Sequence, residues 1–329
     1  MSTSTQTPGL HHVTCIAGDP QRNLDFWIET LGLRLVKRSI NQDDPTTYHF
    51  FFGDARGTPG TSMTFFPWED MAQGTVGSGQ VSRVAFRVPD GSLSHWEKRF
   101  DDHGVAYDDR IDRFGESVLP VRDPDGLPVE LVAVDLPADE PTVPWTEFVG
   151  EGMAIRGFHS VTLSLADPDP TVDLLQSMGF DEMGDEIEKV KASGDGRRRF
   201  AADGPVGKYV DVVSTTDTGR QGRGTVHHVA FQTPTDDDQE ALRRVAQSRG
   251  LQPTAQIDRH WFRSVYFRES NGVLFELATN GPGYTSDEEL ERLGERLVLP
   301  GSFENRREEI QGALPNITLP RPERTESDD

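Results

Sequence analysis

The 329-residue sequence predicts an α+β protein in which four β-α-β-β-β modules form two open barrels, followed by a C-terminal helical extension. Three observations carry this prediction. Segments starting at Leu10, Ser82, Phe158 and Val226 resemble one another, and their register positions His12, Arg83, Ser160 and His228 are spaced by 71, 77 and 68 residues. In each segment a helical period then gives way to strand-like alternation. One such module leaves a curved sheet with an uncovered face, so modules must pair, and four make two pairs.

Each module opens with a run rich in Val, Phe and Thr, such as LHHVTCIA or VHHVAFQT, which reads as a strand. An Asp/Pro/Ser/Thr cluster follows, suited to a turn and a helix N-cap. An amphipathic stretch comes next, exemplified by Leu24, Phe26, Trp27, Ile28 and Leu31. Gly32, Gly104, Gly179 and Gly250 stop the four helices where a left-handed residue is needed. Strands follow: YHFFFGD and TSMTFFP, SVLPVRDPDG and LPVELVAVD, RRFAADGPVG and KYVDVVSTT, RSVYFRESNG and VLFELATN. The DPDG and ESNG pieces are tight turns between paired strands.

The prolines of LPADEPTVPW divide the chain into a first half, 1–135 (modules one and two), a linker, 136–156, and a second half, 157–280 (modules three and four). Residues 281–329 form the extension and an acidic tail. Ser286 and Glu289 make a capping box ahead of Leu290, Leu293 and Leu297, and ENRREEIQGAL reads as a second helix before Pro315. These helices either pack over the barrels and fence the cavity or offer a homo-oligomer contact.

Composition excludes several classes. No stretch has the roughly 20 apolar residues of a membrane span, and the N-terminus lacks a signal-peptide pattern. The single cysteine, Cys15, rules out an internal disulfide and a Cys-rich zinc module, so the expected location is cytoplasmic. With 33 basic and 55 acidic residues the formal charge is −22, which repels phosphate backbones and argues against a nucleic-acid partner. Of the basic residues 28 are arginine. A dispersed carboxylate surface with few lysines suits a halophilic source, where salt screens self-repulsion.

The motifs GLHHVT, RGTPGTSMTFFPW, TVHHVAF and DRHWFRSVYFRESNGVLFELAT give the chain its family likeness. Across residues 10 to 280 it resembles the vicinal-oxygen-chelate superfamily, which includes glyoxalase I, bleomycin-binding proteins and extradiol dioxygenases. These motifs are most similar to those of the hydroquinone ring-cleaving branch, such as 2,6-dichlorohydroquinone dioxygenase. The resemblance implies a mononuclear non-haem iron(II) enzyme that opens an aromatic diphenol of the hydroquinone type with O2. Manganese(II) suits the same ligands.

Such a site needs two imidazoles and one carboxylate on one face of the ion. The first-strand register positions carry His12, Arg83, Ser160 and His228; the last-strand positions carry approximately Thr64, then Glu130, Asp211 and Glu276. If modules one and four share a barrel, His12, His228 and Glu276 converge as the metal ligands. If consecutive modules pair, neither barrel holds two histidines. A lone His at a strand start is ordinarily structural, but Glu276 in LFELA alternates inward, where an unpaired carboxylate is costly. Glu130 in PVELV has the same local look and reads as a vestige of the repeat, paired with Arg83.

The resemblance also nominates residues around the metal. Arg259 holds a dianionic substrate, and Tyr266 binds the phenolate oxygen or positions a proton. Their spacing requires a bend near His260. Thr14 shares a face with His12 and offers a hydroxyl to substrate or oxygen. His11 and His227 point away in a regular strand, which suggests a structural role, whereas the family places them beside the site. No G-x-G-x-x-G fingerprint calls for a nicotinamide or flavin. The rival readings are a glyoxalase-like zinc or nickel lyase or isomerase, disfavoured by the missing carboxylate near Thr64, and a metal-free protein that binds aromatic compounds or drugs.

Overall fold

The structure, a computed structural model, describes residues 6–183 and 196–322; within the predicted acidic tail, 323–329 lie outside the described residues. Module one comprises β1 (Leu10–Ala17), α1 (Pro20–Leu24), β2 (Arg34–Asn41), β3 (Asp44–Gly53) and β4 (Ser62–Pro67). The Asp19 side chain caps α1 by accepting from the amides of Gln21 and Arg22, and the helix runs on into a π-helical turn over Asp25–Thr30. Module two comprises β5 (Gln80–Pro89), α2 (Leu93–His103), β6 (Ile111–Arg113), β7 (Glu116–Arg122) and β8 (Pro128–Val134). Module three holds β9 (Phe158–Leu165), α3 (Asp169–Ser177), β10 (Asp181–Met183), β11 (Arg198–Ala201) and β12 (Tyr209–Ser214). Module four holds β13 (Thr225–Thr233), α4 (Asp236–Ser248), β14 (Ile257–Asp258), β15 (Arg263–Arg268) and β16 (Leu274–Thr279).

The strands form two eight-stranded sheets. One runs β14-β15-β16-β13-β1-β4-β3-β2, joining modules four and one; the other runs β10-β11-β12-β9-β5-β8-β7-β6, joining three and two. Each sheet therefore takes one module from each half of the chain. The opening strands meet at the middle, β1 antiparallel to β13 and β5 antiparallel to β9, and each is flanked by the parallel last strand of its own module.

Alternation sorts the side chains. Phe50, Phe52, Phe65, Phe275 and Leu277 join Trp27 and Phe86 in a continuous core. Burying a side chain of this size stabilises the fold by roughly 2–3 kcal/mol. A smaller cluster, Val36, Phe51, Trp261, Phe262, Tyr284, Leu293 and Val298, brings the first sheet together with the C-terminal extension.

The extension departs from expectation. The capping box at Ser286 does not nucleate an α-helix: Tyr284–Ser286 and Leu290–Arg292 are single 3-10 turns, and Ser286 Oγ donates to the Gly283 carbonyl instead. Three tertiary contacts outcompete the local propensity. Lys37, fully buried on β2, draws Asp287 and Glu288 into ion pairs, the second at 2.5 Å. Gly294 lies against the Leu35 backbone with φ 80°, where a Cβ would come within 1.9 Å of the carbonyl oxygen. The Val298 amide then donates to the Arg38 carbonyl. The leucine spacing thus serves an irregular strap. The second predicted helix forms over Arg307–Ala313 (α5), after a 3-10 turn over Gly301–Arg306.

Candidate metal centre

The repeat register is regular in space as well as in sequence. Two residues beyond the register positions lie Thr14, Ala85, Thr162 and Ala230, and these pair with Thr64, Glu130, Asp211 and Glu276. Each last-strand position thus sits beside the opening strand of its own module. Because β1 and β13 are neighbours, the imidazoles of His12 and His228 arrive on the same side as Glu276. All three are buried.

His228 Nε2 lies 2.9 Å and His12 Nε2 3.2 Å from Glu276 Oε2, and the two Nε2 atoms are 3.4 Å apart. Despite these distances, Glu276 Oε2 makes no aligned hydrogen bond. Its other oxygen accepts from Ser264 Oγ at 2.5 Å. Three lone-pair donors thus point at one another in a buried place. Donors sharing one ion at about 2.1 Å stand roughly 3.0–3.4 Å apart, so the cluster has the size and chemistry of a metal site. Burial alone would raise the Glu276 carboxyl, but the adjoining His12 and His228 more than reverse this and hold it well below the usual range. Burial pulls His228 down, against the opposing pull of Glu276.

The neighbouring histidines reach the site through β-bulges. The β1–β13 register skips His11 between Leu10 and His12, and skips His227 between its flanking partners. Strict alternation, which would turn both rings away, is therefore broken at these residues. His11 Nδ1 lies 2.9 Å from His12 Nδ1, and His227 Nδ1 lies 2.8 Å from His228 Nδ1. Burial, helped by the adjacent imidazole, pulls both His11 and His227 down to about 3, so each is neutral. When His12 Nδ1 is the donor in its contact with His11, the Nε2 lone pair is left for an ion.

The second sheet holds counterparts at the same positions with a different outcome. Glu130 is bound by Arg113 at 2.5 and 3.0 Å, with Arg83 at 3.5 Å, so the main partner is one the sequence did not suggest. Asp211 is bound by Arg199 at 2.8 Å and Arg197 at 3.2 Å. Guanidinium groups neutralise these carboxylates. Among the described residues, His12, His228 and Glu276 are the one group of His, Cys, Asp or Glu able to hold an ion.

His12 and His228 of the triad line a cavity of about 380 Å³, together with Phe51, Phe66, Trp68, Trp261 and Phe262. Arg259 and Tyr266 also line it, brought together by a turn in which His260 adopts φ 79°. Arg259 Nε donates to Tyr266 Oη at 3.3 Å, and its Nη2 reaches Asp43 at 3.1 Å. Burial, reinforced by the charge on Glu276, pushes the Tyr266 hydroxyl far up, so it stays protonated. Thr14 is fully buried and does not line the cavity; its hydroxyl lies 2.7 Å from Thr64 Oγ1, which lies 3.1 Å from His49 Nε2. His49, Trp68 and the aromatic walls went unnoticed in the sequence. The signal for His49 and Phe51 is alternation in YHFFF, where Phe50 and Phe52 belong to the core.

Comparison with known proteins agrees with this architecture. The Glyoxalase/Bleomycin resistance protein/Dioxygenase superfamily pattern matches residues 9–131 and 133–277. The chain is 42% identical to "Putative ring-cleaving dioxygenase MhqO" of Bacillus subtilis, over 94% of this chain and 97% of that one. It is 31% identical to the chlorohydroquinone/hydroquinone 1,2-dioxygenase of Sphingobium indicum, over 94% and 97%. A crystal structure of a "putative dioxygenase" from Bacillus subtilis superposes with a TM-score of 0.90 at 41% identity, covering 96% of this chain and 99% of that one. Glyoxalase I from Zea mays shares the fold at 15% identity, with a TM-score of 0.61 over 83% and 92%. On its sequence, its paired sheets and these relatives, the chain belongs to the Glyoxalase/Bleomycin resistance protein/Dioxygenase superfamily.

Proposed function

We propose that the protein is an iron(II)-dependent ring-cleaving dioxygenase acting on a diphenol of the hydroquinone type, with His12, His228 and Glu276 as the metal ligands. The observation that carries this reading is a triad of buried donors, with no fourth protein ligand among the described residues, whose two histidines line an aromatic-walled cavity. A facial set of this kind leaves positions for both a substrate oxygen and dioxygen. A glyoxalase-type zinc or nickel site ordinarily takes a fourth protein ligand. Thr64 stands at that place and is bonded to Thr14 and His49. A metal-free binding protein leaves the orphaned Glu276 oxygen unexplained. The names of the relatives support the ring-cleaving reading.

When bound, iron(II) supplies Lewis acidity toward an ionised ring hydroxyl and the redox capacity to engage dioxygen. The protein's own groups do the rest. Phe51, Phe66, Trp261 and Phe262 wall the cavity with apolar surface that suits a flat ring and excludes water. Arg259, whose charge is stabilised against burial by Tyr266 and Asp43, attracts an anionic substrate. Tyr266 accepts from Arg259, which frees its own proton for an oxygen of the ring.

Anaerobic loading with iron(II), followed by oxygen-electrode assays on hydroquinone, chlorinated hydroquinones and catechol, tests this reading. Oxygen uptake with a para-diphenol is expected. Full occupancy by zinc or nickel with no uptake on any diphenol after iron loading overturns it.

A further inference from the structure

His49 lines the cavity yet belongs to neither the triad nor the histidine pairs behind it. It lies on β3, separated from β1 by β4 alone, which puts the two strands about 10 Å apart. Its ring is packed between Phe51 and Phe66, with centroids 3.9 and 4.4 Å away. Nε2 is fixed by Thr64 Oγ1, which is itself fixed by Thr14. Nδ1 has no hydrogen-bond partner among the described residues.

The other polar side chains on this wall each already hold at least one hydrogen bond or ion pair. Asp44 accepts from Trp68, Thr46 and Thr47, the Gln42 amide donates to the Arg259 carbonyl, and Asp43 pairs with Arg259. The Asn41 side-chain oxygen accepts from the Asp43 amide. Burial first, and then the nearby His12 and His228, hold the His49 imidazole well below its usual range, so it is neutral and presents one nitrogen to the cavity.

We propose that His49 is a specificity-determining residue: its unpaired ring nitrogen hydrogen-bonds a second ring oxygen, lying across the substrate ring from the oxygen held at the triad. Thr64 and Thr14 act through it as positioning residues. A ring with adjacent hydroxyls presents both at the triad and leaves His49 unanswered; a ring with opposed hydroxyls satisfies both ends of the cavity. The inference rests on the proposed diphenol reading and names the residue that enforces it.

The test reads equilibrium binding without oxygen. Iron(II)-loaded protein is titrated anaerobically with hydroquinone and with phenol, which lacks the second oxygen, by quenching of Trp68 and Trp261 fluorescence. The wild type should prefer hydroquinone. His49→Phe should weaken hydroquinone binding about tenfold and leave phenol nearly unchanged. His49→Gln should restore much of the loss, and Thr64→Val should weaken hydroquinone binding alone. Equal weakening of both ligands in His49→Phe, or unchanged hydroquinone affinity in a variant with wild-type thermal stability, overturns the proposal. The two readings fail separately: hydroquinone binding that depends on His49, without oxygen uptake, removes the dioxygenase reading and keeps this one.

Discussion

The imidazoles of His12 and His228 come within 3.4 Å of each other at Nε2, although 216 residues separate them in the chain. They come together because the two outer modules share a sheet, with the opening strand of each lying against the other. Glu276 completes the group from the strand beside His228. Replacing Glu276 with Gln should abolish iron binding, measured by metal content after anaerobic loading and desalting. Glu130→Gln should leave iron binding intact. It should instead lower stability by about 1–3 kcal/mol, since it deprives the half-buried Arg113 of its carboxylate partner. Iron lost from the Glu130 variant and kept by the Glu276 variant would place the ion in the wrong sheet.

Tyr266 is held protonated beside Arg259 and contacts the His228 ring edge-on at 5.8 Å. Tyr266→Phe keeps the ring and removes the proton. Turnover should fall at least tenfold with bound iron unchanged, in keeping with the general-acid contributions of about 10²–10⁴ seen elsewhere. Unchanged turnover would take the hydroxyl out of the chemistry.

Lys37 ties the C-terminal strap to the sheet, and Asp287 also accepts from His260 and from the indole of Trp261 on the cavity wall. Lys37→Met should cost about 3 kcal/mol in urea unfolding, because the buried Glu288 keeps only the exposed Arg296 at 3.6 Å. Adding Glu288→Gln should recover part of that loss.

Asp123 is a buried carboxyl outside the site, pushed up from 3.8 to about 7, chiefly by desolvation. Its raised value means the folded state keeps a proton that the unfolded chain releases. Its contribution is therefore complete below about pH 4 and is lost as pH rises through about 7. The full swing is up to about 4 kcal/mol. Asp123→Asn should remove this slope, gaining on the wild type between pH 5 and pH 8 in denaturant titrations.

The formal charge of −22 is dispersed over the chain, so like charges repel one another across the surface. Raising NaCl from 0.1 to 1 M shortens the screening length from about 10 to about 3 Å. The thermal midpoint should rise by several degrees. A fall would show that self-repulsion is not what limits stability.

The register of the triad was legible because strand alternation and module spacing are periodic, and periodic features survive in a linear string; the period left the module pairing open, and only the distribution of His and Glu among the register positions favoured the outer pair. His12, His228 and Glu276 stand where that period puts them. The bulges at His11 and His227 were not legible: one extra residue in a strand leaves no mark of its own, yet it turns both rings toward the ligands. His49 sat in an aromatic run whose two faces separate only once Phe50 and Phe52 are known to be core. The strap over residues 284–299 misled for another reason. Its leucine spacing suits a helix, but the buried ammonium of Lys37 and the close approach at Gly294 outweigh a local preference worth tenths of a kcal/mol per residue.

Pairing the first module with the last also has a consequence for biosynthesis. A growing polypeptide that has emerged only as far as the middle pair holds a single member of the triad, His12. The full triad can form only once the strand that carries Glu276 has emerged, so the growing chain cannot assemble it before all four modules are present.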